Sequence, residues 1–193
     1  MRRMVLPVCL AAAFSFPVLA TPHSGEVAGI QLPGHIRIEG RELILNGAGL
    51  RRILLTKVYV AALYLPEPQH DAHAILDGNI PRRLQLTLLR DLSTEQNLDA
   101  LKGGLISNNN PAELESIRQE VSRFLAYIRA LHELAAGTVI QLDYLPAMGT
   151  RLSVNGRHVG TIHGEAFNRA VLKIWLGEDP VQTGLKQALL GKI

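Results

Sequence analysis

The stretch of β-forming residues from 53 to 65, closed by Pro66-Glu67-Pro68, is the feature that most constrains the fold. In a strand, successive side chains point to opposite faces of the sheet. One face of this stretch would carry Val58, Val60, Ala62 and Tyr64, and the other Tyr59, Ala61, Leu63 and Leu65. Both faces are apolar, which predicts a central strand covered on both sides.

Further strands are predicted on either side of this central one. Residues 36–38 and 43–45 flank a turn, and Asn46-Gly47-Ala48-Gly49 predicts a break before the long strand. Later strands are predicted over 84–89, 138–145, 150–154 and 157–162. Between the last two, Asn155-Gly156 is the strongest short hairpin signal that a sequence offers.

Helices are predicted between and after the strands. A short one is expected near 70–76, and Ser93 with Gln96 forms a capping box that opens the next. Asn110-Pro111 opens a long helix that is predicted to end at Gly137. Its apolar stripe comprises Leu114, Ile117, Val121, Phe124, Ile128, Leu131 and Leu134. Two helices, near 165–176 and 181–190, close the chain.

Strands at both ends of the chain, with helices in blocks, indicate an α+β fold. We expect an antiparallel sheet with helices packed on one face. The 193 residues are enough for one domain with a sizeable core.

The N-terminus predicts a secretory signal peptide over residues 1–20. It has a basic start at Arg2 and Arg3, an apolar run over 5–16 and a small-residue cleavage pattern that ends at Ala20. A transmembrane anchor fits less well, because the run is short and Pro7 and Pro17 interrupt it. Residues 21–193 would then form the mature domain, secreted and most consistent with a periplasmic location, with no stable membrane span after cleavage.

Charge and cysteine content narrow the function classes. The chain has a formal net charge of +3 and a pI near 9.2. Removing residues 1–20 removes two arginines and no acid, which leaves 18 basic and 17 acidic residues. The basic pI therefore gives little support to nucleic-acid binding. Cys9 is the single cysteine, so neither a disulfide framework nor a multi-cysteine metal site is expected.

No known catalytic motif is present: there is no G-x-S-x-G, no Walker loop and no H-E-x-x-H. For Gly47-Ala48-Gly49 a turn is favoured over a phosphate cradle. His70 and His73 could share one helix face, but no third ligand is near them, so solvated surface histidines are favoured over a metal site. A haem ligand needs only one histidine and stays an alternative.

The most informative polar group is an arginine beside the central strand. Arg51 and Tyr59 have the same parity, so they would share a face if the strand begins early enough. A planar guanidinium and a hydroxyl over an apolar surface suit a carboxylate or enolate headgroup. The alternative is that Arg51 and Arg52 cap a turn and Tyr59 is a core residue, and the pattern alone favours that alternative.

A set of sequence blocks in a fixed order resembles the bacterial chalcone-isomerase-like family. The blocks are residues 43–51, 57–65, 88–93, 142–146 with Gly149-Thr150, 154–156, and 174–177 with Pro180. The resemblance extends from about residue 26 to the end of the chain. The resemblance implies an open-faced β-sandwich, in which a layer of helices covers a large antiparallel sheet and a ligand cleft lies between them.

The same resemblance implies where a ligand would bind. Members of the superfamily either close a flavanone ring or bind fatty acids, and many have no settled activity. Enzymes and fatty-acid binders share an arginine that matches Arg51. On the next strand the binders have a tyrosine, which matches Tyr59, where the enzymes have a catalytic threonine.

The enzymes also need a tyrosine with nearby lysine and asparagine, in the stretch that corresponds to residues 94–104. Here that stretch has Asn97 and Lys102 but no tyrosine. Most of the polar groups that would stabilise an enolate are therefore missing. We expect a non-catalytic binder of a hydrophobic carboxylate such as a fatty acid, with no cofactor and no metal. A chalcone-isomerase-type lyase and a haem-binding or envelope interaction module are the alternatives.

The expected binding residues are Arg51 and Tyr59 at the ligand head, with Thr87 and Arg90 on the cleft wall. The expected apolar lining is Leu55, Ala61, Leu63 and Leu89, with the stripe of the long helix opposite.

Overall fold

The structure is a computed structural model that describes residues 25–131 and 134–192. The predicted signal peptide, Cys9, His23 and His132 lie outside the described residues. No helix within the described ranges is long and apolar enough to cross a bilayer.

One antiparallel sheet of seven strands, with the strands in chain order, organises the molecule. A separate hairpin of two strands, β1 Gly25–Val27 and β2 Ile30–Leu32, precedes it. The seven strands are β3 His35–Ile38, β4 Arg41–Ile53, β5 Thr56–Leu65, β6 Arg82–Leu88, β7 Val139–Leu145, β8 Gly149–Val154 and β9 Arg157–Ile162.

Six helices occur in the described residues. They are α1 Ala72–Asp77, α2 Thr94–Asn108, α3 Pro111–Ser116, α4 Arg118–Arg129, α5 Glu165–Leu176 and α6 Thr183–Leu189. Apolar side chains of this layer, including Leu105, Phe124 and Val171, form the main core with one face of the sheet. The α+β prediction and the open-faced sandwich are therefore confirmed.

Strand β5 lies inside the sheet between β4 and β6, and both of its faces are buried. Ala61, Leu63 and Leu65 face the helices in the main core. Val60 and Tyr64 belong to a second core, where Leu32 of the β1–β2 hairpin packs. The prediction of a central strand covered on both sides is confirmed, although a β-hairpin that the pattern did not predict helps to cover the second face.

Several local signals produce the structures that they predict. Asn155 and Gly156 both have positive φ, 49° and 76°, in the tight turn between β8 and β9. Ser93 and Gln96 form the capping box of α2, and Asn110 caps α3 with Pro111 in its first turn.

Three predicted boundaries are wrong. Residues 46–49 do not break the chain, because β4 continues through them with a bulge between Leu45 and Gly47. The strand predicted over 53–65 begins at Thr56, since Leu54 and Leu55 form the turn from β4. The long helix is interrupted at Ile117, with φ −119° and ψ 20°, and ends at Arg129 rather than near Gly137.

Candidate functional site

Arg51 and Tyr59 are direct partners across the β4–β5 ladder. Directly paired residues lie on the same face of a sheet. Tyr59 packs against the helix-side core, so both side chains belong to the helix-covered face. The two residues share a face, as predicted, but they do so through the pairing of two strands and not through parity within one strand. Their role in binding stays a prediction.

The Tyr59 hydroxyl lies beneath the end of α5. It accepts a hydrogen bond from Trp175 Nε1 at 3.0 Å. Burial raises the pKa of Tyr59, and the bond from Trp175 and the nearby Arg51 charge offset part of that rise. The phenol is therefore neutral near pH 7. Within residues 25–131 and 134–192 its proton has no acceptor at hydrogen-bonding distance, so the hydroxyl can donate to a ligand oxygen.

Arg51 is half-buried and is tied to the start of α6. Its Nη1 donates to the Arg52 carbonyl oxygen at 2.5 Å and to Gln182 Oε1 at 3.2 Å. Gln182 is the N-cap residue of α6, and its Oε1 also accepts from the Arg52 backbone N–H at 2.9 Å. A guanidinium has five N–H donors, and the two bonds above use only Nη1, so the donors on Nε and Nη2 of Arg51 take no part in them.

Two glycines of β4 let α6 approach this arginine. A Cβ on Gly47 would lie 2.1 Å from the Ala188 carbonyl oxygen, and one on Gly49 would lie 2.7 Å from the Ala188 Cβ. Both distances are far below van der Waals contact, so only glycine fits at this spacing. The Gly-x-Gly segment is neither a turn nor a phosphate cradle, because it is the strand surface on which α6 packs.

Thr87 and Arg90 are not brought to the Arg51–Tyr59 pair. Thr87 pairs with Val60, whose side chain belongs to the second core, whereas Tyr59 pairs with Leu88. Thr87 therefore lies on the opposite face of the sheet and cannot line the same site. Arg90 follows β6 as an exposed residue, and its Nε donates to the Asp91 carbonyl oxygen at 3.3 Å.

The predicted apolar lining is also divided. Ala61 and Leu63 are fully buried in the main core, but Leu89 packs against the second core. Leu55 is 93% exposed at the β4–β5 turn. A hollow of about 420 Å³ lies instead on the helical layer, where α2, α3 and α4 meet, lined among others by Leu105, Ile106, Leu114 and Val121. It shares no residue with the Arg51–Tyr59 pair.

A second arginine on the helix-covered face was not singled out from the sequence. Arg82 is 1% exposed and pairs across the β6–β7 ladder with Tyr144, its guanidinium carbon 4.9 Å from the centre of that ring. Its Nε donates to Asn168 Oδ1 at 2.8 Å and its Nη1 to the Ile75 carbonyl oxygen. The alternation Arg82, Leu84, Leu86, Leu88 is the signal that places it on a buried face.

The histidines do not form a metal site in the part of the chain that the structure describes. His70 Nδ1 lies 2.6 Å from the Leu190 carbonyl oxygen, and His73 Nε2 lies 3.5 Å from Glu178. No group of three His, Cys, Asp or Glu side chains in residues 25–131 and 134–192 could hold a metal ion.

Comparison with known proteins agrees with this architecture. The family model described as chalcone isomerase-like matches residues 24–191. Among solved structures, a fatty-acid binding protein of Arabidopsis thaliana superposes with a TM-score of 0.66 at 17% sequence identity, covering 87% of this chain and 96% of the plant protein. No curated protein matches the sequence significantly. The family match extends over nearly all of the described residues, and the chain therefore belongs to the chalcone isomerase-like family.

Proposed function

We propose that this protein is a non-catalytic binder of a hydrophobic carboxylate, such as a fatty acid, and that Arg51 and Tyr59 hold its headgroup. The observation that carries the proposal is the cross-strand Arg51–Tyr59 pair, with a neutral hydroxyl whose proton is free to donate among the described residues. The likeness to a plant fatty-acid binding protein supports it at the level of the fold.

The two side chains offer a carboxylate complementary contacts. The Arg51 guanidinium supplies positive charge and planar N–H donors, and Tyr59 supplies a neutral O–H donor. Trp175 holds the Tyr59 oxygen, and Gln182 holds Arg51, so neither side chain has to be ordered by the ligand. Preorganised donors lose little entropy on binding, which favours affinity.

Ring closure of a chalcone is the competing function, and the residues near the pair do not favour it. Helix α2 lacks a tyrosine, and the residue beside Arg51 on β5 is a tyrosine. We expect chalcone absorbance to decay in the presence of the protein at the spontaneous rate. Decay well above that rate would overturn the non-catalytic assignment.

Export is the second part of the proposal. The basic start, apolar run and Ala20 cleavage pattern support secretion, most consistent with a periplasmic location. Intact-mass measurement of the protein made from the full-length gene should give an N-terminus at Thr21, and fractionation should recover it outside the cytoplasm. A retained Met1 in the cytoplasmic fraction would contradict export.

Calorimetric titration with dodecanoate tests the headgroup assignment. Loss of a charge-assisted hydrogen bond costs about 1.5–3 kcal/mol, so Arg51→Gln should weaken binding roughly tenfold to a hundredfold. Tyr59→Phe should weaken it by about threefold to tenfold, as for one neutral bond. The matched controls are Arg37→Gln, an exposed arginine on β3, and Tyr64→Phe, a buried tyrosine in the second core.

The controls should bind dodecanoate as the wild type does. If Arg51→Gln and Arg37→Gln bind equally, the headgroup lies elsewhere. If the wild type binds neither dodecanoate nor longer fatty acids, the function itself is wrong.

A further inference from the structure

The turn between β4 and β5 exposes apolar side chains that no other described residue covers. Leu54 and Leu55 are each 93% exposed, and Ile53 before them is 53% exposed. They are three of the five large apolar residues that are exposed in the described part of the chain, and they are consecutive. Of the other two, Ile106 lies alone in α2 and Met148 lies alone in the turn between β7 and β8. We call residues 52–57 the hairpin tip.

Folding does not explain the leucines of the hairpin tip. Leu54 has φ 54°, a left-handed conformation that hairpin turns normally give to Asn, Asp or Gly. At the same end of the sheet the β8–β9 hairpin uses Asn155 and Gly156 for its positive φ angles. The β4–β5 turn therefore has bulky apolar residues where a polar turn would fold better.

Basic residues lie on both strands behind these leucines. Arg52 and Lys57, both exposed, form the second pair behind the turn, after Ile53 and Thr56, and Arg51 lies next to them. Residues 43–66 contain no Asp or Glu. None of the three cations forms an ion pair with any residue that the structure describes.

We propose that the hairpin tip docks this protein on an anionic lipid surface, with Leu54 and Leu55 inserted among the acyl chains and Arg52 and Lys57 on the headgroups. Apolar side chains that project beyond a collar of basic residues match the two layers of a membrane interface. A protein partner would have to offer both an apolar pocket and an acidic rim, whereas an anionic bilayer offers both everywhere on its surface.

Docking in this orientation would place the candidate binding pair close to the bilayer. Arg51 and Tyr59 form the third pair behind the turn, and Arg51 lies about 10 Å from Leu54 along the strand. The pair would then lie at headgroup depth, where the carboxylate of a membrane-dissolved fatty acid is found. Lipid docking goes beyond the proposed function, because it does not depend on any ligand being bound.

Vesicle co-sedimentation tests the hairpin tip directly. The full-length gene is expressed, the protein that the cell makes from it is purified, and phosphatidylcholine vesicles with and without phosphatidylglycerol are compared. We expect binding only to the anionic vesicles, and weaker binding as salt shortens the Debye length. Leu54→Asn/Leu55→Ser should lower the partition coefficient at least about tenfold, and Arg52→Gln/Lys57→Gln by roughly thirtyfold.

Matched variants control for lost surface apolarity and charge. Met148→Asn removes an exposed apolar residue from the β7–β8 turn at the other end of the sheet, and Arg37→Gln/Arg41→Gln removes two exposed cations from β3 and β4. Both controls should bind vesicles as the wild type does. Leu54→Asn suits the left-handed backbone, so this variant should fold at least as stably as the wild type.

Three results would overturn lipid docking. These are no binding of the wild type to anionic vesicles, equal binding by the leucine variant, and wild-type self-association that the leucine variant abolishes without any vesicle binding. Dodecanoate titration without vesicles separates the two proposals. The leucine variant should bind dodecanoate normally, and a wild type that binds vesicles but no fatty acid would overturn the proposed function alone.

Discussion

Two arginine–tyrosine pairs lie on the helix-covered face of the same sheet and differ in their surroundings. Arg82 and Tyr144 pair near the start of α5, where Arg82 is 1% exposed and binds Asn168. Arg51 and Tyr59 pair near the end of α5, where Arg51 is half-buried and Tyr59 binds Trp175. Position along one helix therefore separates a pair that is enclosed by the fold from a pair that a ligand could approach.

Burying the charged side chain of the enclosed pair, Arg82, also costs free energy. Burial lowers the pKa of Arg82 to about 10, and in the described residues its Nη2 has no hydrogen-bond partner. Its neighbour Arg83, on the other face, has the Asp143 carboxylate at 2.5 Å and 2.8 Å. Arg82 instead satisfies buried oxygens of α1 and α5, which joins both helices to the start of β6, the middle strand of the sheet.

Replacing Arg82 should have the largest effect on the free energy of unfolding. Arg82→Ala removes a fully buried side chain and leaves Asn168 Oδ1 and the Ile75 carbonyl without a donor, so we expect a loss of about 3 kcal/mol in the free energy of unfolding. Arg51→Ala should cost less than about 1 kcal/mol. Urea unfolding measures both values, and an equal cost would remove the distinction between the pairs.

Gly47→Ala, on the strand that carries Arg51, should have the next largest effect on the free energy of unfolding. The new methyl would meet the Ala188 carbonyl oxygen, so α6 has to move away from β4 at a cost of about 1–3 kcal/mol. Gln182 would move with α6, and dodecanoate binding should weaken. Gly103→Ala is the control, because nothing lies within 4 Å of a Cβ there in helix α2. That variant should be more stable by about 0.5–1 kcal/mol.

Replacing Tyr59 or Tyr144 by phenylalanine should lower the free energy of unfolding by a similar amount, but the two variants should differ in dodecanoate affinity. Tyr59→Phe leaves Trp175 Nε1 without an acceptor, and Tyr144→Phe leaves Asn79 Oδ1 without its donor at 2.7 Å. Each should cost about 1 kcal/mol in urea unfolding. Only Tyr59→Phe should weaken dodecanoate binding. Equal weakening by Tyr144→Phe would mean that the enclosed pair also contacts ligand.

The smallest effect concerns alkaline pH. Burial is the main cause that raises the pKa of Tyr59 and of Tyr144, so above about pH 10 the unfolded chain releases these phenol protons before the folded protein does. The unfolded state then binds fewer protons, and stability falls as pH rises. Urea unfolding across this range should show a shallower fall in Tyr59→Phe and in Tyr144→Phe. An unchanged slope in both variants would contradict the assigned cause.

Sequence reasoning succeeded where neighbouring residues decide the structure. The Asn155-Gly156 turn, the Ser93 capping box and the two apolar faces of β5 follow from a few adjacent side chains. It failed where a distant element decides. Gly47 lies within β4, where α6, about 140 residues later in the chain, packs on it, and such a contact leaves no local signal in the sequence.

In the candidate site, too, the features that depend on distant parts of the chain are the ones that the sequence did not predict. Parity within one strand placed Arg51 and Tyr59 on the same face, but the two residues lie on β4 and β5, and it is their pairing across the ladder that puts them on one face. The face of Thr87 relative to Tyr59 depends on the β5–β6 register, which pairs Thr87 with Val60 and cannot be read from either strand alone. The buried position of Arg82 could have been predicted from the sequence, because Arg82 continues the alternation of Leu84, Leu86 and Leu88 by one step.

Calorimetry with dodecanoate and its methyl ester, on wild type and Arg51→Gln, tests the headgroup assignment most directly. The ester keeps the chain and loses the charge that Arg51 would bind. We predict that the wild type binds the acid at least about tenfold more tightly than the ester, and that Arg51→Gln abolishes this preference without changing the affinity for the ester. A preference that survives in Arg51→Gln would contradict the assignment.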